Sequence, residues 1–292
     1  MFMEDHREGI LIRGERFDLM KTLRSGQMFR YRELYDGVLF AMKDRIVAAR
    51  FVGDGTLFLG ENEDSFHAIW KYLDFDFSME ACERTFPKHP LIEEALVLGK
   101  GLRMLRQDPW EAVLGFLLSQ NNHVGRIRSL MDTLAEKYGK KIATPYGTMH
   151  LTPRPEELTA SEEELRALKC GYRAPYIVEM AANVRAGEVD LDRIGRMNTE
   201  DRIQALRQLR GIGPKVADCI SLYGYHDLTR VPMDTWMKKA VEALDGIAPK
   251  DWGPYPAVLQ QYLFFAFLST RGNVAKPYEK NAIRSTENVA ID

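Results

Sequence analysis

Lys215 and Asp234, nineteen residues apart, are the side chains whose neighbours best equip them for covalent chemistry. Lys215 stands in Leu209-Arg-Gly-Ile-Gly-Pro-Lys-Val-Ala-Asp-Cys219, and Asp234 closes Val231-Pro-Met-Asp234. A neutral lysine amine attacks an electrophilic carbon and can form a Schiff base there. In water only about one lysine amine in a thousand is neutral near physiological pH, so such chemistry needs surroundings that disfavour the ammonium. A carboxylate nearby can stabilise positive charge that develops on a substrate. Asp234 also precedes a helical run, Thr235 to Leu244, and reads equally as its N-cap, kept ionised by the helix dipole. The two roles are compatible.

These residues need elements to hold them. Ile203, Leu206 and Leu209 fit a short helix leading into Gly211-Ile212-Gly213. Pro214 then occupies a helix start, where its missing N–H costs nothing. Gly211 and Gly213 are expected to permit positive φ and close backbone approach, leaving N–H groups aimed at an anion. A plain connector between helices can have the same Gly-x-Gly-Pro pattern. Arg202, Arg207 and Arg210 surround the turn and Lys238-Lys239 follow the aspartate, which together favour phosphate over a merely solvated face. Cys219 shares a helical face with Lys215, while Asp218 reads as support for the helix or hairpin.

Composition excludes more than it selects. With 40 Lys and Arg against 42 Asp and Glu, the chain does not coat nucleic acid through bulk charge, although local phosphate contacts remain open. Its 45% hydrophobic and 28% charged residues describe a globular protein large enough for a substantial core. Three cysteines without a close pair, Cys82, Cys170 and Cys219, give neither a disulfide framework nor a zinc site, and the scattered histidines lack metal-ligand spacing. No metal or organic cofactor is expected. No stretch reads as a signal peptide or membrane span, so a cytoplasmic location is expected.

The chain changes character near residue 105. Before it lie strand signals at Val38–Met42, Ile46–Val52 and Thr56–Leu59, the last two joined by Gly53-Asp54-Gly55. Phe66, Ile69, Trp70 and Leu73 then mark one face of a helix. After Arg106 the pattern is helical almost throughout, with starts at Asp108-Pro109, Ser161-Glu-Glu-Glu164 and Asn198-Thr-Glu-Asp201. The expected class is α+β. It comprises an antiparallel-sheet domain over 1–105, two helical subdomains over 106–275 and a polar tail over 276–292.

The turn with Lys215 and Asp234 resembles the helix-hairpin-helix of the HhH-GPD superfamily of DNA glycosylases. Six further blocks sharpen this to the 8-oxoguanine DNA glycosylases. They are Ser25-Gly-Gln-Met-Phe-Arg30, Asp108-Pro-Trp-Glu-Ala, Ser119-Gln-Asn-Asn122, Arg126, Gly171-Tyr-Arg173 and Trp252-Gly-Pro-Tyr255, in the family's order. The resemblance implies a bifunctional enzyme in which Lys215 is the nucleophile and Asp234 its carboxylate partner. Gly26, Cys219, Gln260 and Phe264 would form the damaged-base pocket. Asn121 would fill the hole left by the flipped base, Tyr172 would wedge the stack, and Arg126 and Arg173 would read the opposite cytosine. Gly211, Gly213 and Lys215 would meet DNA phosphate.

The substrate implied is duplex DNA with 8-oxoguanine, and by the same resemblance formamidopyrimidine-guanine, paired with cytosine and attacked by a monomer. The Gly26 carbonyl would accept the N7–H that guanine lacks. An unpaired buried polar group costs about 1–3 kcal/mol, or roughly ten- to a hundred-fold in discrimination. Trp236, His123 and Tyr223 depart from the eukaryotic pattern, which carries His, Asn and Met there. Two other classes stay open: a glycosylase for another damaged purine, and a non-catalytic hairpin DNA binder. Gly26 with Cys219 argues against the first, and Lys215 with Asp234 against the second.

Overall fold

The computed structural model describes residues 2–270; the polar tail expected from 276 lies outside them. Six antiparallel strands form the N-terminal sheet: β1 (Phe2–His6), β2 (Gly9–Arg13), β3 (Tyr31–Glu33), β4 (Gly37–Met42), β5 (Arg45–Val52) and β6 (Gly55–Leu59). Their spatial order is β1-β2-β6-β5-β4-β3. The β5–β6 hairpin closes with Val52 opposite Gly55 and Gly53 at φ 59°. A two-residue turn of this hand suits the sheet's twist and favours glycine.

Helices α1 (Leu19–Arg24), α2 (Glu63–Tyr72), α3 (Met79–Glu83) and α4 (Pro90–Leu98) accompany the sheet. One sheet face packs Ile10, Val38, Phe40, Val47 and Phe58 against Leu19, Leu23, Phe66, Ile69 and Leu73. Strand β4 is buried along its whole length, and its other face shows why. Leu39, Ala41 and Ala48 meet Met149 and Tyr146 from a second sheet, the hairpin β7 (Lys141–Thr144) and β8 (Gly147–His150). This hairpin is the exception in a second half that is otherwise helical, as expected. Its four-residue strands are polar and half-exposed, so they carry no apolar period to read.

The remaining helices are α5 (Pro109–Ser119), α6 (Val124–Tyr138), α7 (Glu162–Ala167), α8 (Ala174–Arg185), α9 (Leu191–Gly195), α10 (Thr199–Arg207), α11 (Pro214–Tyr225), α12 (Thr235–Ala243) and α13 (Pro256–Ser269). Asp108, Ser161 and Asn198 cap the helices they were expected to start. Along α5 the buried run from Trp110 to Ser119 is continuous, and the middle of α11 packs against it. Helix α5 is thus the core rod of the helical part, with Ala112 beneath Gly224 of α11.

Two polar clusters join sheet and helices. Asp74 accepts from Arg106 Nε at 2.7 Å and pairs with His226 Nε2 at 2.8 Å, tying the sheet side to the last turn of α11. Arg30 reaches Asp132 and the His150 carbonyl, holding the strand after the 25–30 turn against α6 and β8. Near them Glu111 is buried on α5, and desolvation, reinforced by Asp108, pushes its carboxyl up to about 7.

A raised carboxyl makes burial costlier as pH rises from its ordinary value through 7, so any stability it lends is present in acid and lost toward neutrality. Glu111→Gln should therefore gain on the parent by up to about 3 kcal/mol between roughly pH 5 and pH 8. Urea unfolding at several pH values checks this. A pH-independent difference would contradict it.

Candidate active site

Helix α11 starts where the hairpin turns. Gly211 holds φ 85°, and a Cβ there would meet the Tyr176 ring at 2.5 Å, so glycine is required on both counts. Gly213 corrects the expectation of a second positive φ: it is the helix N-cap, at φ −82° and ψ 178°. A Cβ on it would meet nothing within 4 Å. The open space over Gly213 is what an anion needs to reach the free N–H groups of the first turn. Lys215 is the second residue of that turn and half-buried.

Asp234 reaches the same place from the other side. Its Oδ1 accepts from the backbone N–H of Trp236 at 3.0 Å and Met237 at 2.8 Å, so it caps α12. The second carboxylate oxygen accepts neither bond. Cys219, 3% exposed, registers how close these groups stand. Burial pushes its thiol up to about 11, the Lys215 ammonium opposes that shift, and Asp234 and Asp218 add to it. The thiol therefore stays protonated at physiological pH.

The residues expected to hold a base come from α13 and the 25–30 turn. Gly26, at φ 79°, lies so near Phe264 that an added Cβ would meet the ring at 2.7 Å. One turn before Phe264, Gln260 is 4% exposed and its Oε1 has no hydrogen-bond partner. An orphaned acceptor of this kind costs free energy until a donor arrives. Gln261 joins the pieces: it accepts from the Tyr223 hydroxyl at 2.7 Å and donates to the Ser25 carbonyl at 2.7 Å. This strut links α11, α13 and the turn carrying Gly26. Tyr223, which departs from the eukaryotic pattern, is a buried brace stacked on Phe116. Nothing in one sequence singles out Gln261, a glutamine beside a glutamine.

A second group forms around the loop after α5. Asn121, at the left-handed φ of 52° that asparagine tolerates, donates to the Tyr172 hydroxyl at 2.9 Å. Arg173 is 6% exposed and donates to the carbonyls of Gln120 and Cys170, with its guanidinium 4.4 Å from the Tyr172 ring. Arg126 donates to the Lys169 carbonyl at 3.2 Å. Gln120 Nε2 donates to the Gly211 carbonyl at 3.1 Å, fixing this loop to the hairpin. His123 caps α6 through its ring Nδ1.

Some expected phosphate ligands have other tasks. Arg202 is buried against Asp227, 3.0 Å away, and Arg210 pairs with Glu179 at 2.8 Å. Asp218 receives Arg230 rather than serving the hairpin itself. Among the described residues no three His, Cys, Asp or Glu side chains are grouped to hold a metal ion. No described helix is long and apolar enough to cross a membrane.

The N-terminal sheet, the helices after it and the hairpin bearing Lys215 together have the form of a helix-hairpin-helix DNA glycosylase. A family model described as the 8-oxoguanine DNA glycosylase N-terminal domain matches residues 9–113. The N-glycosylase/DNA lyase of Saccharomyces cerevisiae is 30% identical over 260 residues, covering 76% of this chain and 66% of that protein. A probable N-glycosylase/DNA lyase of Methanothermobacter thermautotrophicus is 30% identical over 212 residues, covering 62% and 68%. This chain thus spans about two thirds of the length of either relative. The Clostridium acetobutylicum 8-oxoguanine glycosylase/lyase, solved on duplex DNA with cytosine opposite 8-oxoguanine, superposes with a TM-score of 0.84 at 27% identity, covering 93% of this chain and 99% of that one. The chain belongs to the 8-oxoguanine DNA glycosylase family of the HhH-GPD superfamily.

The Gly26–Phe264 contact yields a stability test. Gly26→Ala should cost about 1–2 kcal/mol through strain at positive φ and the clash with the ring. Adding Phe264→Ala should cost less in that background than in the parent, a coupling read from a double-mutant cycle by denaturant unfolding. Strict additivity would place the whole cost in the backbone.

Proposed function

We propose that this protein excises 8-oxoguanine paired with cytosine and then cuts the strand at the resulting site. The observation that carries the reading is the meeting of Lys215, Asp234 and Cys219 at the N-terminal part of α11, next to a Gly213 over which a Cβ would meet nothing within 4 Å. DNA phosphate on the first-turn N–H groups would bring a sugar to Lys215. The neutral amine would attack C1′, and the electron pair of the C1′–N9 bond would leave on the base, which takes up a proton. Asp234 would stabilise the positive charge that develops on the sugar. Ring opening would give a Schiff base on Lys215. Loss of a C2′ proton would then expel the 3′ phosphate.

Gln260 and Gly26 support a base site between α13 and the 25–30 turn, with Phe264 as its stacking face. A base entering it would displace Phe264 from the edge of Gly26 and give the orphaned Gln260 Oε1 a donor. The Gly26 carbonyl would accept the N7–H that distinguishes 8-oxoguanine from guanine. Asn121, Tyr172, Arg126 and Arg173 gather around the loop that Gln120 ties to the hairpin, which supports their use in filling the stack and reading cytosine. Work on genomic DNA puts the enzyme in the compartment holding it, the cytoplasm in a cell without a nucleus.

Borohydride should trap the protein covalently on a duplex with 8-oxoguanine opposite cytosine, and Lys215→Gln should not trap. Full trapping by that variant would remove Lys215 from the nucleophile's role. Failure of the parent to trap on this lesion but not on an alkylated purine would favour a different substrate, and failure on all would favour a binding protein.

Cytosine presents acceptors at O2 and N3 to arginine donors, whereas adenine offers N1 beside a donating amino group. Single-turnover excision should therefore be faster opposite cytosine than opposite adenine. Arg126→Met should reduce that preference by about 1–3 kcal/mol, roughly ten- to a hundred-fold. Equal rates of the parent on both duplexes would rule out the cytosine-reading role.

A further inference from the structure

Asp218 follows Lys215 by three residues on α11. Opposite charges at that spacing meet on a helix surface, and lysine with aspartate is an ordinary pair. Here the pair is not made. Asp218 Oδ1 instead accepts from Arg230 Nε at 3.0 Å and also from Arg230 Nη2, and among the described residues Lys215 makes no ion pair. The Asp218 and Arg230 side chains are only 17% and 32% exposed, so solvent screens their attraction incompletely.

Arg230 is itself anchored. Its backbone N–H donates to the Asp227 carbonyl at 3.1 Å, and the Asp227 carboxylate is held by Arg202 and the hydroxyls of Thr199, Ser221 and Thr229. Four residues after Arg230 comes Asp234. One ion pair thus bridges the helix carrying the amine to the segment carrying its carboxylate partner. We propose that Arg230 is a positioning residue that holds Asp218 off the Lys215 amine, while Asp234, whose Oδ1 is taken by the Trp236 and Met237 N–H groups, makes no ion pair with it; the inference rests on the reading of Lys215 as the nucleophile.

The chemistry needs this separation. An amine paired with an adjacent carboxylate is held as the ammonium, which has no lone pair to attack with. Arginine suits the task, because it stays charged at every relevant pH and its planar fork grips one carboxylate with two donors. Among the described residues no other cation is paired with Asp218. On α11 itself Cys219 is neutral, and packed α5 carries one ionisable residue, Glu111, which responds to Thr152 and Arg30. Helix α10 carries Glu200, Asp201, Arg202 and Arg207, of which Arg202 is spent on Asp227 and Asp201 accepts from Asn198. On α13 the ionisable side chain is Tyr262, which donates to Glu83.

The test is the pH profile of single-turnover borohydride trapping by the full chain on an 8-oxoguanine·cytosine duplex, with the duplex Kd measured alongside. Arg230→Met should move the midpoint of the alkaline rise upward by about one to three pH units, with Kd nearly unchanged. Asp218→Asn added to Arg230→Met should restore the parent midpoint, and Arg230→Lys should keep it. Arg230→Gln, which preserves a donor without the charge, is read the same way should the Met variant not fold. A uniform slowing at every pH, or no restoration in the double variant, would reduce Arg230 to a structural brace and overturn the inference alone. Trapping by Lys215→Gln would overturn the nucleophile reading and this inference with it.

Discussion

The buried packing of α11 on α5 is the constraint on which the site depends. A lysine in a mobile loop would find a sugar carbon rarely and in many orientations. Lys215 instead begins a helix buried from Val216 to Gly224 except at Asp218, with Gly224 set directly on Ala112 of α5. The far end is tied down as well. His226 leaves the helix in the left-handed conformation, φ 55°, and bonds Asp74 on the sheet side. A rod fixed along its length and at one end presents its other end accurately, and it is that end which carries the amine and the open N-cap at Gly213.

The other parts reach this rod by short polar links. Tyr223 and Gln261 connect it to α13 and to the Ser25 carbonyl, one residue before Gly26. Gln27 is buried beside that residue, accepting from Leu105 N at 2.8 Å and donating to the Arg103 carbonyl at 2.8 Å. If the Gly26 carbonyl reads the base as proposed, it has to be held this firmly, since a misplaced acceptor would lose the roughly 1–3 kcal/mol on which discrimination would rest. The departures from the eukaryotic pattern fit the same frame. Tyr223 supplies a strut. Trp236, half-exposed beside Asp234, stacks on Phe267 at 3.8 Å with Lys239 over its ring, so an aromatic ledge stands where relatives of that pattern carry histidine.

Much of this was legible in the sequence because local rules were obeyed. Pro214 after glycine marked the start of α11, Asp234 before a helical run marked a cap, and Gly53-Asp54-Gly55 between two strand-like runs marked a hairpin. What escaped reading was long-range or lacked a period. The β7–β8 hairpin is polar and short, yet it makes β4 a strand buried on both faces. Strands β1 and β3 are mostly exposed and carry little apolar signal. Arg202 read as a phosphate ligand by proximity in sequence, while the fold turns it inward to Asp227, a partner 25 residues away. The Asp218–Arg230 pair was invisible for the same reason: helical spacing offered Asp218 a nearer partner in Lys215, and only the fold brings the arginine across.

The central claim is that the 25–30 turn, α11 and α13 converge on one base site served by Lys215. A crystal structure of Lys215→Gln bound to duplex DNA carrying 8-oxoguanine opposite cytosine tests it most directly. The extruded base should lie on Phe264 with its N7–H on the Gly26 carbonyl and with Gln260 Oε1 no longer unpaired, and Asp234 should face C1′. A base lodged elsewhere, with Phe264 still against Gly26 and Gln260 Oε1 still without a donor, would contradict the account.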